Sequence, residues 1–183
     1  MEKAIWARLL AGTLKKRGKV TYAGHDFKEP LGDIVVLAVP YGAVDSIISA
    51  HKDELKGKVL IDITNPVNFD TFDSLVVPAD SSAAAEIQKK LPDTFVVKAF
   101  NTTFAATLAS GLVGGKEKAT VLLASDSEDA KKKVGEALEG SPLAVKDAGS
   151  LKRARELEAM GFLQITLAAR GQFGWTDGFA VIG

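Results

Sequence analysis

The chain has 183 residues, 46% of them apolar and 25% charged, so it carries enough apolar material for one buried core and is neither disordered nor collagen-like. Lys+Arg and Asp+Glu both number 23, and a net charge of zero argues against a sequence-independent nucleic-acid binder. Cysteine is absent and histidine occurs only as His25 and His51, which excludes disulfides, thiolate catalysis, Cys/His zinc sites and Cys-ligated iron–sulfur clusters.

The chain opens on a helix, with Ala4, Ile5, Leu9, Leu10 and Leu14 at helical spacing and Gly18 as its stop. Strands are expected at 20–23, 34–39, 59–63, 95–100, 120–124 and 143–146. The continuous runs IVVLAV and VLIDI read as strands buried on both faces, which implies a parallel sheet. Between them fall helical stripes. One is Val44, Ile47, Ile48, His51 and Leu55, where the imidazole reads as a packed side chain. Another follows a Ser81 or Ser82 cap, and a third contains Ala130, Val134 and Leu138. The run Lys131-Lys132-Lys133 lies opposite that last stripe and reads as a solvated face. A long helical segment covers about 151–169, with Gly161 interrupting it. Strands alternating with helices give an α/β fold, a Rossmann-like doubly wound sheet with helices on both faces. The longest apolar stretch, 34–40, is about a third of a membrane span, and the charged N-terminus lacks a signal-peptide core; a cytoplasmic chain without membrane contact is expected.

Ligands in such folds sit at the carboxyl ends of strands. There the sequence places Pro40-Tyr41-Gly42, Thr64-Asn65-Pro66 and Asn101-Thr102-Thr103. Pro40 stops a strand and suits a first helical turn, or forms a flat backbone wall against a cofactor. Asp62 to Pro66 is an Asx-type turn, or Asn65 bonds a ribose or carboxamide. Lys98 stands inside an apolar strand, where a lone charge is costly, so an ion pair with a carboxylate such as Asp62 is expected ahead of catalysis. No Ser-His-Asp arrangement is visible. A glycine-rich phosphate loop, G-x-G-x-x-G after a strand, is also missing.

Four segments in order, IVVLAVPY (34–41), DITNP (62–66), VKAFNT (97–102) and DAGSLKRARELE (147–158), resemble the deazaflavin (coenzyme F-420)-dependent NADP oxidoreductase family and its bacterial dinucleotide-binding relatives. The N-terminal domain of the six-transmembrane epithelial antigen metalloreductases is a more distant likeness. The resemblance runs from residue 4 to the end. It implies a Rossmann-like NAD(P)-binding domain over 1–150, a helical C-terminal segment over 151–183 packed on it, and a homodimer. It implies NADPH across the strand ends and hydride transfer to a small acceptor stacked on the nicotinamide: coenzyme F-420, a flavin or another flat ring. Carried over, Pro40 and Tyr41 line the adenosine side, and Thr64, Asn65 and Pro66 approach the nicotinamide. Asn101 and Thr102 face the acceptor pocket, which Leu151 and the following helix cover. No catalytic acid or base is implied, because hydride transfer between flat rings needs proximity and orientation.

The chain departs from the family pattern in three places. The opening strand and the first two loop glycines are missing, as an N-terminally truncated sequence would have it. Glu2 stands where the third glycine belongs and would repel a pyrophosphate. Gly24-His25-Asp26 occupies the region that reads the ribose 2′ position. Asp26 disfavours a 2′-phosphate, while His25 or Lys28 offsets it, so NADP and NAD both stay open. Two readings of function follow: an oxidoreductase whose glycine loop is incomplete, which binds NAD(P)H weakly or not at all as it stands, or an impaired, non-catalytic oligomeric module. The apolar tail, Phe173, Trp175, Phe179, Val181 and Ile182, either self-associates or packs back on its own domain.

Overall fold

Three short apolar segments, β1 (Ile34–Leu37), β2 (Val59–Asp62) and β3 (Phe95–Lys98), pair in parallel, in the computed structural model, which describes residues 31–182. The expected first helix, the strand at 20–23, Glu2 and His25 lie outside the described residues. Two further strands, β6 (Thr120–Ala124) and β7 (Ala144–Gly149), complete a five-stranded sheet of order β1-β2-β3-β6-β7. A separate two-stranded ribbon joins β4 (Leu112–Val113) to β5 (Glu117–Lys118).

Alternation along the strands explains the layers. Val59, Ile61, Val97, Ala99, Val121 and Leu123 point to one face and pack with Ala130, Val134 and Leu138 of α4 (Glu128–Leu138) and Leu108 of α3 (Ala105–Ser110). Leu60 and Val96 point to the other face. They meet Val44 and Ile48 of α1 (Val44–Ala50), Ala84 and Ile87 of α2 (Ala83–Lys90), and Ala154 of α5 (Ala154–Ala169). The side-chain period of 2 thus feeds two cores, and the helices cover both faces of the sheet as a doubly wound α/β fold requires. Ser82 and Ser127 cap α2 and α4 by accepting from the N–H groups of Ala85 and Ala130.

One pair departs from the all-parallel expectation: β6 runs antiparallel to β3, with Lys98 opposite Ala124. The connection between them explains why. Its helix, α3, has six residues, about 9 Å of rise, and is too short to carry the chain back along the strands. Gly111 then closes α3 in the left-handed region at φ 75°, and the β4–β5 ribbon returns the chain from the end it left. One register row therefore crosses the whole sheet: Leu37, Asp62, Lys98, Ala124 and Gly149. All five strands end at this row, so three loops from below and two strand ends from above meet there.

Lys131, read as part of a solvated face, is buried instead; Asp147 (2.8 and 2.9 Å) and Glu128 (2.7 Å) hold its ammonium. His51 ends α1 with Nδ1 2.9 Å from Glu54 Oε1. The tail beyond α5 packs back on its own chain through backbone bonds: the hydroxyl of Thr107 and the N–H of Gly114 both donate to the Thr176 carbonyl at 3.0 Å.

A Cβ at Gly111 would stand 2.6 Å from Pro142 Cβ, on a backbone that L side chains rarely adopt. Gly111→Ala is expected to destabilise the protein by about 1–3 kcal/mol, read as a lower urea midpoint with an unchanged slope.

Candidate functional site

The register row puts an acid and a base side by side at the ends of β2 and β3. Lys98 Nζ lies 2.8 Å from Asp62 Oδ2 and 2.8 Å from Glu158 Oε1 of α5, and all three side chains are fully shielded from solvent. The same ammonium donates to the carbonyl of Thr64, so its three hydrogens are all used. Asp62 Oδ1 in turn accepts from the Thr64 N–H at 2.9 Å, which closes the Asx-type turn expected at DITNP. Glu158 Oε2 accepts from the N–H of Ala83 at 2.8 Å and Oε1 from that of Ala84 at 3.3 Å, so it also satisfies the first turn of α2. One buried cation thus joins β2, β3, α5 and the start of α2. The expected ion pair with Asp62 is present, with a second carboxylate beside it.

Two carboxylates share one buried ammonium, so one negative charge is in excess. Burial pushes the Glu158 carboxyl above its ordinary range, against the pull of Lys98, and Asp62 adds to the rise. Burial also pushes the Tyr41 phenol up, reinforced by Asp45, Glu158, Glu86 and Asp62. Tyr41 therefore sits half-buried beside the acidic side of this network.

Immediately beyond Lys98 the backbone turns sharply. Phe100 is buried with φ 64°, a conformation that costs a non-glycine residue about 1–2 kcal/mol. That turn aims Asn101 at the neighbouring strand end. Asn101 Nδ2 donates to Asn65 Oδ1 (2.9 Å) and to the Leu157 carbonyl (2.8 Å), and Asn65 Nδ2 donates to the Asn101 carbonyl (2.9 Å). The two strand-end turns are locked together and to α5. A Cβ on Gly161 would come within 2.5 Å of Asn65 Oδ1 and 2.9 Å of the Asn101 carbonyl. The glycine does not interrupt α5, which is continuous; its missing side chain lets the helix lie directly on the asparagine pair.

The structure brings Thr64, Asn65, Pro66, Asn101 and Thr102 to one end of the sheet, as their strand-end positions predicted. Pro40 caps the single 3₁₀ turn Tyr41–Ala43 after β1 and is exposed, so its face is open to a ligand. Asn65 spends its amide on Asn101 and acts first as a clamp. Leu151 does not join the group; it is buried with Leu37, Leu60 and Ala154 in the core under α1 and α2. Among the described residues of these two turns, Thr64 Oγ1 and Asn101 Oδ1 are buried without a hydrogen-bond partner. Each such orphan costs about 1–3 kcal/mol, so the turns retain unused hydrogen-bonding capacity of the kind a cofactor carboxamide or ribose would meet.

Sequence reading missed Glu158 and Gly161. The signal was present: Ala154, Leu157, Glu158, Gly161, Gln164 and Ala168 are the buried positions of α5, and two of them are polar. A polar residue on the inward stripe of a helix needs a buried partner.

Gly161→Ala is expected to cost about 1–3 kcal/mol by overpacking, measured by urea unfolding. The Glu158 shift predicts a pH effect of defined sign. Its folded-state affinity for protons exceeds the unfolded one, so its contribution to stability is complete below the ordinary carboxylate range and is lost as pH rises through the raised value. The stability difference between wild type and Glu158→Gln, followed by urea unfolding, should move against wild type as pH rises through that window.

Residues 10–66 match the family model described as NADP oxidoreductase coenzyme F420-dependent. The chain is 32% identical over 161 residues to the F420-dependent NADP reductase of Methanocaldococcus jannaschii, covering 84% of this chain and 71% of that one. It is 33% identical over 176 residues to the F420-dependent NADP reductase of Methanothermobacter marburgensis, covering 91% and 77%. Among solved structures, a protein of Arthrobacter sp. FB24 assigned as an F420-dependent NADP-reductase superposes with a TM-score of 0.74 at 25% identity, over 84% of this chain and 71% of that one. With its strand-end turns, its Rossmann-like sheet and this agreement over most of its length, the chain belongs to the coenzyme F420-dependent NADP oxidoreductase family.

Proposed function

We propose that this chain is an oxidoreductase that moves a hydride between NADPH and a flat, flavin-like acceptor such as coenzyme F-420. The observation that carries the reading is the strand-end assembly, in which Thr64-Asn65-Pro66 and Asn101-Thr102 are fixed against each other by two side-chain hydrogen bonds and to α5 by a third. The relatives named above are NADP reductases, and this assembly lies where dinucleotides cross open α/β sheets.

Bound NADPH would supply a hydride with its electron pair to the acceptor ring, at carbon in a deazaflavin or nitrogen in a flavin, and a solvent proton would complete the reduced acceptor. The protein's share is position. The exposed Pro40 and half-buried Tyr41 line one flank of the dinucleotide, and Thr64 to Pro66 abut the nicotinamide end. Thr64 and Asn101 give the two turns a hydroxyl and an amide in place of titratable groups. Neither needs to change protonation state, which suits a reaction governed by approach and alignment. A homodimer is part of the same proposal.

The test is NADPH oxidation followed at its reduced-nicotinamide absorbance with coenzyme F-420 and, separately, FMN. Turnover with either supports the reading; no oxidation and no NADPH binding by the protein contradicts it. Asn101→Ala, which frees Asn65 Oδ1 and the Leu157 carbonyl, is expected to lower kcat/KM roughly 100-fold while the circular dichroism spectrum stays that of the folded protein.

A further inference from the structure

The C-terminal tail holds an exposed indole in a fixed place. Trp175 is 54% exposed, and its ring lies against Phe104 with centroids 5.0 Å apart and planes at 55°. The backbone is tied down on both sides of it. Before it, Gly174 N–H donates to Asp177 Oδ2 at 2.6 Å. After it, the Thr176 carbonyl accepts from Thr107 Oγ1 and Gly114 N–H, both at 3.0 Å. Further on, Phe179 N–H donates to Gln164 Oε1 at 3.2 Å, and Gly178 passes so close that a Cβ would stand 2.8 Å from that oxygen.

This is an unusual use of hydrogen bonds. They order the segment beyond α5 yet leave its largest aromatic side chain half in water, where its burial contributes little. Ordering a residue before its partner arrives lowers the cost of binding. The position of the indole limits what the partner is. Phe104 lies three residues beyond Asn101, so its Cα is within about 11 Å of the asparagine that clamps the strand-end turns. Phe104 meets the indole at a tilt, and more than half of Trp175 stays exposed. The indole itself is electron-rich and uncharged, and Asp177, two residues on, is held by Gly174 N–H.

We propose that Trp175 is the stacking platform for the electron-poor ring of the acceptor, placed by the tail beside Asn101-Thr102-Thr103. This rests on the reading that the chain passes a hydride from NADPH to a flat acceptor, and it assigns to that acceptor a residue distinct from the strand-end turns. Aromatic stacking of this type favours offset geometry and resists replacement by an aliphatic side chain.

The experiment uses the full chain. In a Trp6→Phe background, where Trp175 is the sole tryptophan, emission is followed during titration with coenzyme F-420 and with FMN. Steady-state kinetics are run on wild type, Trp175→Leu and Trp175→Phe. Saturable quenching, an acceptor KM raised about tenfold in Trp175→Leu, recovery in Trp175→Phe and an NADPH KM within about twofold of wild type are expected. Turnover with an unchanged acceptor KM in Trp175→Leu overturns the assignment and leaves the oxidoreductase reading standing. Saturable quenching without NADPH oxidation supports the ring site and overturns the hydride-transfer reading. Neither quenching nor turnover overturns both. Emission that responds to protein concentration and not to acceptor shows a second copy of the chain on the indole, which also overturns the proposal.

Discussion

A single buried ammonium organises the functional end of this molecule. Lys98 cannot be solvated, so each of its hydrogens must find an acceptor, and the three it finds lie on different parts of the chain: Asp62 of β2, Thr64 beyond it, and Glu158 of α5. Removing a charge from water costs several kcal/mol even after relaxation, and only this degree of pairing offsets it. The geometry of the strand ends is therefore not adjustable piece by piece. Glu158 extends the constraint to α2, whose first N–H groups it accepts, so a helix late in the chain completes the start of one formed much earlier.

The asparagine pair is the second consequence. With β2 and β3 held in register by Lys98, the turns that follow them stand close enough for Asn65 and Asn101 to exchange hydrogen bonds. Asn101 makes a third hydrogen bond, to α5, only because residue 161 has no side chain. The left-handed backbone at Phe100 is the local strain that this arrangement maintains. Strand, turn and C-terminal helix thus form one rigid floor, and a floor of this kind suits chemistry that depends on the alignment of two rings more than on proton transfer.

Much of this was legible in the residues. The buried runs placed each strand of the five-stranded sheet to within a few positions, because β-branched stretches bounded by polar turns have few other uses in an α/β chain, whereas the short β4–β5 ribbon left no such run. The strand-end triplets were legible for the same reason: parallel neighbours bring their carboxyl ends to one edge. The reversal of β6 was not, since periodicity reports which side chains are buried and says nothing of strand direction. Nor were Glu158 and Gly161. A glutamate amid alternating charges and a glycine in a helix both look ordinary until the partner side chains, some 60 to 96 positions earlier in the chain, are brought beside them. Lys131 shows the converse error, a lysine in a charged run that the fold buries between Asp147 and Glu128.

A double-mutant cycle on Lys98→Met and Glu158→Gln, read by urea unfolding at neutral pH, tests the organising role of the buried ammonium most directly. If Lys98 and Glu158 belong to one network, Lys98→Met alone costs about 3–5 kcal/mol and the two changes couple by more than about 1 kcal/mol. Additive effects, with Lys98→Met costing no more than an exposed lysine would, would contradict the account.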